Sequence, residues 1–171
     1  MNHTFAEIAV GIDPGSRISG VGIVESQNGR LRYLQHFPIR IPDKKTQAEK
    51  LVFFADQFQT ILDLYDNATL VIESLFTSKN VSSILKLSHI RGVAIMMAAK
   101  KGWRIEEFAP ATVKVSVTGY GRATKEQMQY MVQKILKLDK MPEPADCADA
   151  LALAICYLGQ AKLGRRIKRK I

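Results

Sequence analysis

Long apolar runs are missing from this sequence of 171 residues, which excludes a membrane-spanning class of protein. The longest apolar stretches, such as Val93 to Ala99, fall far short of the roughly 18 residues that a membrane span needs. No signal-peptide pattern opens the sequence, so we expect a cytosolic protein. With 47% hydrophobic and 24% charged residues, the composition is that of a globular protein rather than a disordered or fibrous one.

Cysteine and histidine are also scarce, with two and three copies respectively. Cys147 and Cys156 lie nine residues apart in one predicted helix, a separation of roughly 13 Å that no disulfide can bridge. The three histidines, His3, His36 and His89, form no spaced set with the cysteines. We therefore expect neither a disulfide nor a zinc site, and both cysteines are interpreted as packing residues.

Acidic residues are outnumbered, since 25 Lys and Arg against 16 Asp and Glu give a net charge of +9. An excess of this sign favours nucleic acid as a partner, because Lys and Arg displace counterions from phosphates. Five of the last seven residues are basic: Arg165, Arg166, Lys168, Arg169 and Lys170. We expect one globular domain over residues 1–163 and a flexible basic tail over residues 164–171, which is either simply solvated or in contact with DNA.

The hydrophobic pattern predicts a single α/β domain. Strand-type runs occupy residues 8–12, 20–24, 31–41, 69–72 and 103–108, and helical patterns occupy residues 46–65, 80–101, 110–117, 125–138 and 145–160. The order βββαβαβ, followed by helices, indicates a mixed five-stranded sheet flanked by helices. Its first three strands should be antiparallel, and the fourth, reached through a helical crossover, should be parallel to its neighbour. Pro38 places the third strand near an edge.

Four acidic residues stand out by their places in this pattern. Asp13 ends the first strand in an Asp-Pro-Gly turn, and Glu73 follows the fourth, so the two could lie side by side. Asp146 and Asp149 share one face of the last helix, which carries no other charge between Ala145 and Ala161. The aspartates could instead cap a turn or a helix start. A glutamate at the centre of a sheet, however, needs a cation nearby.

Taken together, these four residues predict a metal site. Carboxylates converging from two strands and an apolar helix repel one another unless cations neutralise them. Oxygen ligands without cysteine or histidine favour Mg²⁺ or Mn²⁺, and two such ions roughly 4 Å apart can hold the attacking and leaving oxygens of a phosphodiester. A basic protein with an acidic metal site is typical of a nuclease.

Motifs in a fixed order along nearly the whole chain resemble the RuvC-type Holliday junction resolvases. They are Gly-Ile-Asp-Pro-Gly-Ser-Arg-Ile-Ser-Gly at residues 11–20, Ile-Glu-Ser-Leu-Phe at 72–76, Leu87 through Arg91-Gly92, Val113-Lys114 through Lys125, and Asp-Cys-Ala-Asp-Ala-Leu at 146–151. One Asp-Pro-Gly would be weak evidence, but ordered motifs at the family's spacing are specific.

The resemblance implies an RNase H-like fold and a cytosolic homodimer that nicks the strands of a four-way DNA junction with Mg²⁺. It also implies work alongside the branch-migration complex of RuvA and RuvB proteins. Under it, two ions per site would be held by Asp13, Glu73, Asp146 and Asp149. The resemblance further implies that Phe76 contacts DNA at the junction core and that Lys114 and Lys125 contact the DNA backbone.

Three departures from the family pattern leave these ligands intact: Ser19 for Thr, Ser74 for Gln and Cys147 for Ala. Ser74 leaves the cleavage sequence preference open, because it adjoins Glu73. The alternatives are another RNase H-like nuclease of the RuvX type and a non-catalytic DNA-binding module. An ATP-binding protein of the actin and hexokinase type is a further alternative, because its phosphate loop has a similar motif, although such proteins need two lobes.

Overall fold

A computed structural model describes the backbone of residues 6–74 and 81–168, and the side chains of residues 6–74 and 84–161. These residues form five strands, namely β1 (Glu7–Asp13), β2 (Ile18–Gln27), β3 (Arg30–Arg40), β4 (Thr69–Glu73) and β5 (Arg104–Phe108). They also form five helices, namely α1 (Gln47–Leu64), α2 (Val81–Lys100), α3 (Pro110–Thr118), α4 (Lys125–Leu136) and α5 (Ala145–Lys168). The predicted order of elements is confirmed.

The strands form one mixed sheet in the order β3-β2-β1-β4-β5. β1 is central, because it pairs antiparallel with β2 and parallel with β4. β3 lies at an edge, as the proline in its sequence predicts, and β5 pairs parallel with β4 at the other edge. The β2–β3 turn contains Asn28 and Gly29 with φ values of 54° and 76°, the conformation of a tight type I′ hairpin.

Alternate residues of the central strands face two separate cores. On one face Val10, Ile12 and Leu70 pack with residues of α1 and α2, among them Phe54, Phe58, Ala94 and Ala98. On the other face Ala9, Val24 and Val71 pack with α3, α4 and α5. Because successive side chains of a strand point to opposite faces, Asp13 and Glu73 share the α5 face with Ala9 and Val71.

The last helix lies on the sheet backbone at three glycines. A Cβ atom added to Gly11 would lie 1.9 Å from the carbonyl oxygen of Ala150, and one on Gly20 would lie 2.0 Å from that of Asp146. At Gly22 it would lie 2.5 Å from the amide nitrogen of Leu151. These distances are below any real contact, so only glycine permits this approach.

Two helix ends differ from the sequence prediction. α4 ends at Leu136, two residues early, because Lys137 takes a left-handed conformation and the Leu138 amide donates to the Gln133 carbonyl at 3.0 Å. α5 runs to Lys168 instead of ending at Gln160, since the residues after 160 include strong helix formers and no proline. The division into a domain and a tail at residue 164 stays a prediction.

Two expectations about absences can be compared with the structure. Both cysteines, Cys147 and Cys156, are buried and free, as their interpretation as packing residues predicts. Within the described part of the chain, no helix has the length and apolar character that a membrane span requires.

The glycine contacts generate a stability prediction. Gly11→Ala should lower the free energy of unfolding by about 3 kcal/mol, since its methyl group cannot coexist with the Ala150 carbonyl unless α5 moves away. Urea denaturation measures the change.

Gly92→Ala is the matched control for this substitution. Gly92 is an exposed residue within α2, and a Cβ atom there would meet nothing within 4 Å. This variant should be neutral or more stable by up to about 1 kcal/mol, because alanine favours helix. Equal stability of the two variants would show that the approach of α5 to β1 is not tight.

Candidate active site

Two of the four acidic residues end adjacent parallel strands. Asp13 is the last residue of β1 and Glu73 the last residue of β4, and the register pairs Ile12 with Ile72 immediately before them. The backbone therefore brings these two carboxylates to neighbouring positions at the carboxyl ends of β1 and β4. The sequence prediction that they lie side by side agrees with this register.

The other two acidic residues come from the first turns of α5. The carbonyl of Asp146 rests on Gly20, and Gly20 is the residue paired with Asp13 across the β1–β2 ladder. The start of α5 is thereby held over the end of β1. Asp149, one helical turn further on, lines the same cleft as Asp13 and Glu73.

This cleft has a volume of about 270 Å³ and combines carboxylates with lysines. It is lined by Asp13, Glu73, Asp149, Lys114 and Lys125 together with apolar residues of α3, α4 and α5. Asp146 is not among the lining residues, although it is close enough to act electrostatically on Asp13 and Asp149. The two aspartates of α5 therefore occupy different environments.

Asp13 has the most perturbed acidity of the four carboxyl groups. Burial, the largest cause, and the charges of Asp149, Asp146 and Glu73 together raise its pKa from 3.8 to about 8, while Lys125 opposes the shift. Three like charges acting on one carboxyl group mean that the side chains form one electrostatic cluster. Such a cluster at a cleft is a functional-site signal.

The pKa values of Glu73 and Asp149 are raised by burial and lowered by nearby lysines. Burial is the largest cause of the raised pKa in both, and Asp149 contributes to the shift at Glu73. Lys114 and Lys125 lower the pKa of each carboxyl group and so partly compensate its burial. The two lysines are thus placed within electrostatic reach of the acidic cluster.

Lys125 is positioned at the first residue of α4. Its Nζ atom lies 3.9 Å from Oδ2 of Asp149, and its side chain remains 76% exposed. The helix start is fixed by a capping box between Thr124 and Gln127. Lys125 is therefore held at the cleft entrance while its charge stays accessible to an incoming anion.

The alternative hypothesis, that the aspartates only cap a turn or a helix start, receives no support in the described residues. The turn after Asp13 is closed by Ser19, whose buried hydroxyl group accepts from the Gly15 amide at 3.1 Å and donates to the Gly15 carbonyl at 3.2 Å. Among the described residues, no backbone amide donates a hydrogen bond to the carboxylate of Asp13, Asp146 or Asp149. These carboxylates are therefore available for another ligand.

Arg91 of α2 lies in this region and was named from the sequence only as a member of the motif from Leu87 to Arg91-Gly92. Its Nε atom donates to the backbone carbonyl of Glu73 at 3.4 Å, and its guanidinium group forms an ion pair with Glu107 of β5. The Arg91 side chain is only 14% exposed, whereas that of Glu107 is 45% exposed. Phe76, the predicted junction-core residue, lies outside the described residues.

The donor set fits a hard divalent cation. All four candidate ligands are carboxylates, and the raised pKa of Asp13 shows that the cluster is poorly solvated for its charge. In the described part of the chain, no three Asp, Glu, His or Cys side chains converge tightly enough to complete a coordination shell.

Known proteins with a similar sequence agree with one another. A family model described as crossover junction endodeoxyribonuclease RuvC matches residues 9–157. The crossover junction endodeoxyribonuclease RuvC of Alkaliphilus oremlandii is 42% identical over 150 residues, which cover 88% of this chain and 92% of that protein. The RuvC protein of Dictyoglomus thermophilum is 38% identical over 151 residues, covering 88% and 96%.

Solved structures give the same result for the fold. The structure of RuvC from Thermus thermophilus aligns with a TM-score of 0.80 at 25% identity, covering 92% of this chain and 96% of that one. The same protein in complex with a Holliday junction substrate aligns with a TM-score of 0.84 over the same shares. The yeast mitochondrial Holliday junction resolvase Ydc2 shares the fold at 10% identity, with a TM-score of 0.61 and coverage of 92% and 80%. The predicted RNase H-like architecture is confirmed.

The raised pKa of Asp13 generates a prediction about stability in the metal-free protein. Between pH 3.8 and about 8 the folded chain holds a proton on Asp13 that the unfolded chain releases, so stability falls as the pH rises through this window. Asparagine cannot ionise and escapes this loss. In EDTA at pH 8.5, Asp13→Asn should raise Tm by about 2–8 °C, with a smaller gain at pH 5.

Asp56→Asn, on the exposed side of α1, is the control for the loss of one carboxylate. Its Tm should change little and by the same amount at both pH values. Differential scanning calorimetry in EDTA distinguishes the two variants. A gain for Asp13→Asn that does not grow with pH would mean that Asp13 is not held at raised pKa.

Proposed function

The chain belongs to the RuvC family of crossover junction endodeoxyribonucleases, and from that membership we propose how its own residues act on DNA. It is an endonuclease of DNA recombination and repair that resolves four-way Holliday junctions. Membership favours this activity over the RuvX-type, ATP-binding and non-catalytic alternatives. The observation that carries the proposed mechanism is one cleft that contains Asp13, Glu73 and Asp149 together with two lysines.

We propose that the acidic cluster holds divalent metal, with Mg²⁺ as the physiological ion and Mn²⁺ as a substitute. Asp13, Glu73, Asp146 and Asp149 would be the ligands of two ions, since oxygen donors alone suit these hard cations. When bound, the ions neutralise the carboxylates, activate water for attack on phosphorus and stabilise the leaving oxygen. The protein supplies ligands at the ends of two paired strands and one closely packed helix, so hydrolysis needs no covalent enzyme intermediate.

The lysines are proposed to act on the phosphate that is cut. Lys125 stands 3.9 Å from Asp149 with most of its side chain exposed, so its ammonium group can contact both the cluster and an entering phosphate. Lys114, on α3, lines the same cleft and lowers the pKa of Glu73 and Asp149. Both residues would orient the DNA backbone and stabilise the charge that develops at phosphorus. Phe76 stays a prediction for the junction core.

Arg91 is proposed as a positioning residue for Glu73. It touches the backbone carbonyl of Glu73 and not the carboxylate, so it can fix the end of β4 without occupying the metal site. Its ion pair with Glu107 ties the ends of β4 and β5 together. The direction of the Glu73 side chain then depends on a buried guanidinium group in α2.

We propose that four substitutions abolish cleavage: Asp13→Asn, Glu73→Gln, Asp146→Asn and Asp149→Asn. Each removes one negative ligand and preserves the shape of the side chain, so the rate with Mg²⁺ should fall by more than about 100-fold while junction binding in EDTA survives. Single-turnover cleavage of a four-way junction and of a linear duplex of the same sequence measures the effect. Undiminished cutting by one variant would remove that residue from the site.

Lys125→Ala provides the contrast, because it leaves all four carboxylates in place. Its cleavage should be slowed and not abolished, with binding less affected. A wild-type rate in this variant would reduce Lys125 to a solvated surface charge. Equal cutting of the linear duplex and the junction by the wild-type protein would contradict the junction specificity.

We propose a homodimer formed through the outer face of α2. Leu85 and Met96 are 55% and 53% exposed, and they share one helical stripe with His89 and Gly92. This stripe carries no acidic or basic residue other than the histidine. Two subunits would supply the two nicks that a junction requires.

Met96→Glu should convert the dimer into a monomer, because it places a charge in the centre of this face. Sedimentation equilibrium gives the mass of the assembly. Val52→Glu introduces the same charge at a residue of α1 that is 60% exposed, and this control should remain dimeric. A dimer that survives Met96→Glu would move the interface elsewhere on the molecule.

The remaining parts of the proposal concern the setting of the reaction. We propose that the enzyme acts in the cytosol, where its DNA substrate lies, together with the RuvA and RuvB proteins of the branch-migration complex. Co-sedimentation of the purified chain with junctions loaded with those two proteins is the measurement that checks this association.

A further inference from the structure

A second cleft lies on the α1 and α2 face of the sheet, opposite the acidic site. It has a volume of about 440 Å³, and its residues come from the β1–β2 loop, the β3–α1 loop, α1 and α2. Ile90 of α2 lies at its base and is 1% exposed, so the cleft is built on the hydrophobic core. None of the four metal-ligand candidates lines it.

The charge of this second cleft is predominantly positive. Arg17, Lys45, Lys50 and Lys86 line it against a single acidic residue, Asp43. Arg17 and Asp43 form an exposed ion pair at 3.5 Å. Among the described residues, no carboxylate lies within 4.0 Å of the ammonium group of any of the three lysines. The lysines therefore keep their charge available for an anion.

The second cleft lies at the same end of the sheet as the acidic site, where β1, β3 and β4 finish. Arg17 lies four residues after Asp13, in the loop between β1 and β2. Lys45 follows the end of β3, a strand that runs in the same direction as β1, and Lys86 lies in the N-terminal part of α2, the helix that follows β4. The four candidate ligands and the three lysines of the second cleft thus lie on opposite faces of the sheet, at the same end of it.

We propose that this basic cleft binds the phosphodiester backbone of a junction arm, as a second DNA contact separate from the acidic site. Lysines from three elements suit a repeating polyanion, which presents a phosphate at each step along its backbone. The carboxyl ends of β1, β3 and β4 all point to this end of the sheet, so both clefts lie at the same end of the molecule. The inference rests on the proposed action on junction DNA.

The test is the salt dependence of junction binding in EDTA, where no cleavage occurs. The full-length triple variant Lys45→Ala, Lys50→Ala, Lys86→Ala removes the three lysines. Each lost phosphate contact should reduce the slope of log K against log salt by about 0.9, so we expect a slope smaller by about 2–3. Fluorescence anisotropy with a labelled four-way junction measures it.

Two further variants keep this test specific. The triple variant Arg30→Ala, Lys100→Ala, Arg104→Ala removes the same charge from exposed residues at the opposite end of the sheet, and its slope should change by less than about 1. The triple variant Lys45→Arg, Lys50→Arg, Lys86→Arg retains the charge and should bind with a nearly wild-type slope. Thermal melting confirms that all of them are folded.

The outcomes separate this inference from the proposed function. Equal slopes for the two alanine triples, or a wild-type slope for the cleft triple, would overturn the second contact while leaving junction cleavage by the wild-type protein intact. A loss of slope in the arginine triple as large as in the alanine triple would overturn its electrostatic basis. A wild-type protein that neither binds nor cuts the junction would refute the proposed function itself.

Discussion

The close contact between α5 and the backbone of β1 and β2 is the constraint on which the active site depends. At Gly11, Gly20 and Gly22 the helix backbone occupies the space where side chains would otherwise be. Two of its acidic residues lie in the first turns, and the Asp146 carbonyl rests on the glycine that pairs with Asp13. A side chain of even one carbon would force the helix away from the sheet and change the positions of its two carboxylates relative to Asp13.

This arrangement places function and stability in opposition. Burial and three neighbouring carboxylates raise the pKa of Asp13 to about 8, so the cluster resists being fully ionised at neutral pH. Lys114 and Lys125 act in the opposite direction on Glu73 and Asp149, yet both lysines stand at the cleft entrance and compensate only part of the charge. The folded chain therefore contains buried carboxylates that repel one another, and a bound cation would relieve this repulsion. The closely packed α5 and its largely apolar face supply the stability that permits this.

The sequence predicted the sheet and most of the acidic cluster because both follow from periodicity and connection rules. Short apolar runs and turn signals identified the strands, a helical crossover predicted that β4 is parallel to its neighbour, and a spacing of three set Asp146 beside Asp149. The glycine contacts could not be found in this way, since they depend on which strands pair and in which register. Arg91 was visible only as a motif member, because its target is a backbone atom 18 residues earlier. Lys45, Lys50 and Lys86 meet only after the chain has folded.

The same topology explains why both charged clefts lie at one end of the sheet. β1, β3 and β4 all run toward it, so their loops and the helices that follow converge there, as ligand sites do at the carboxyl ends of parallel strands. The sheet then separates the two clefts, with the carboxylates, Lys114 and Lys125 on the α5 face and Lys45, Lys50 and Lys86 on the α1 and α2 face. With a sheet between them, the acidic face can bind metal while the basic face remains free to attract phosphate.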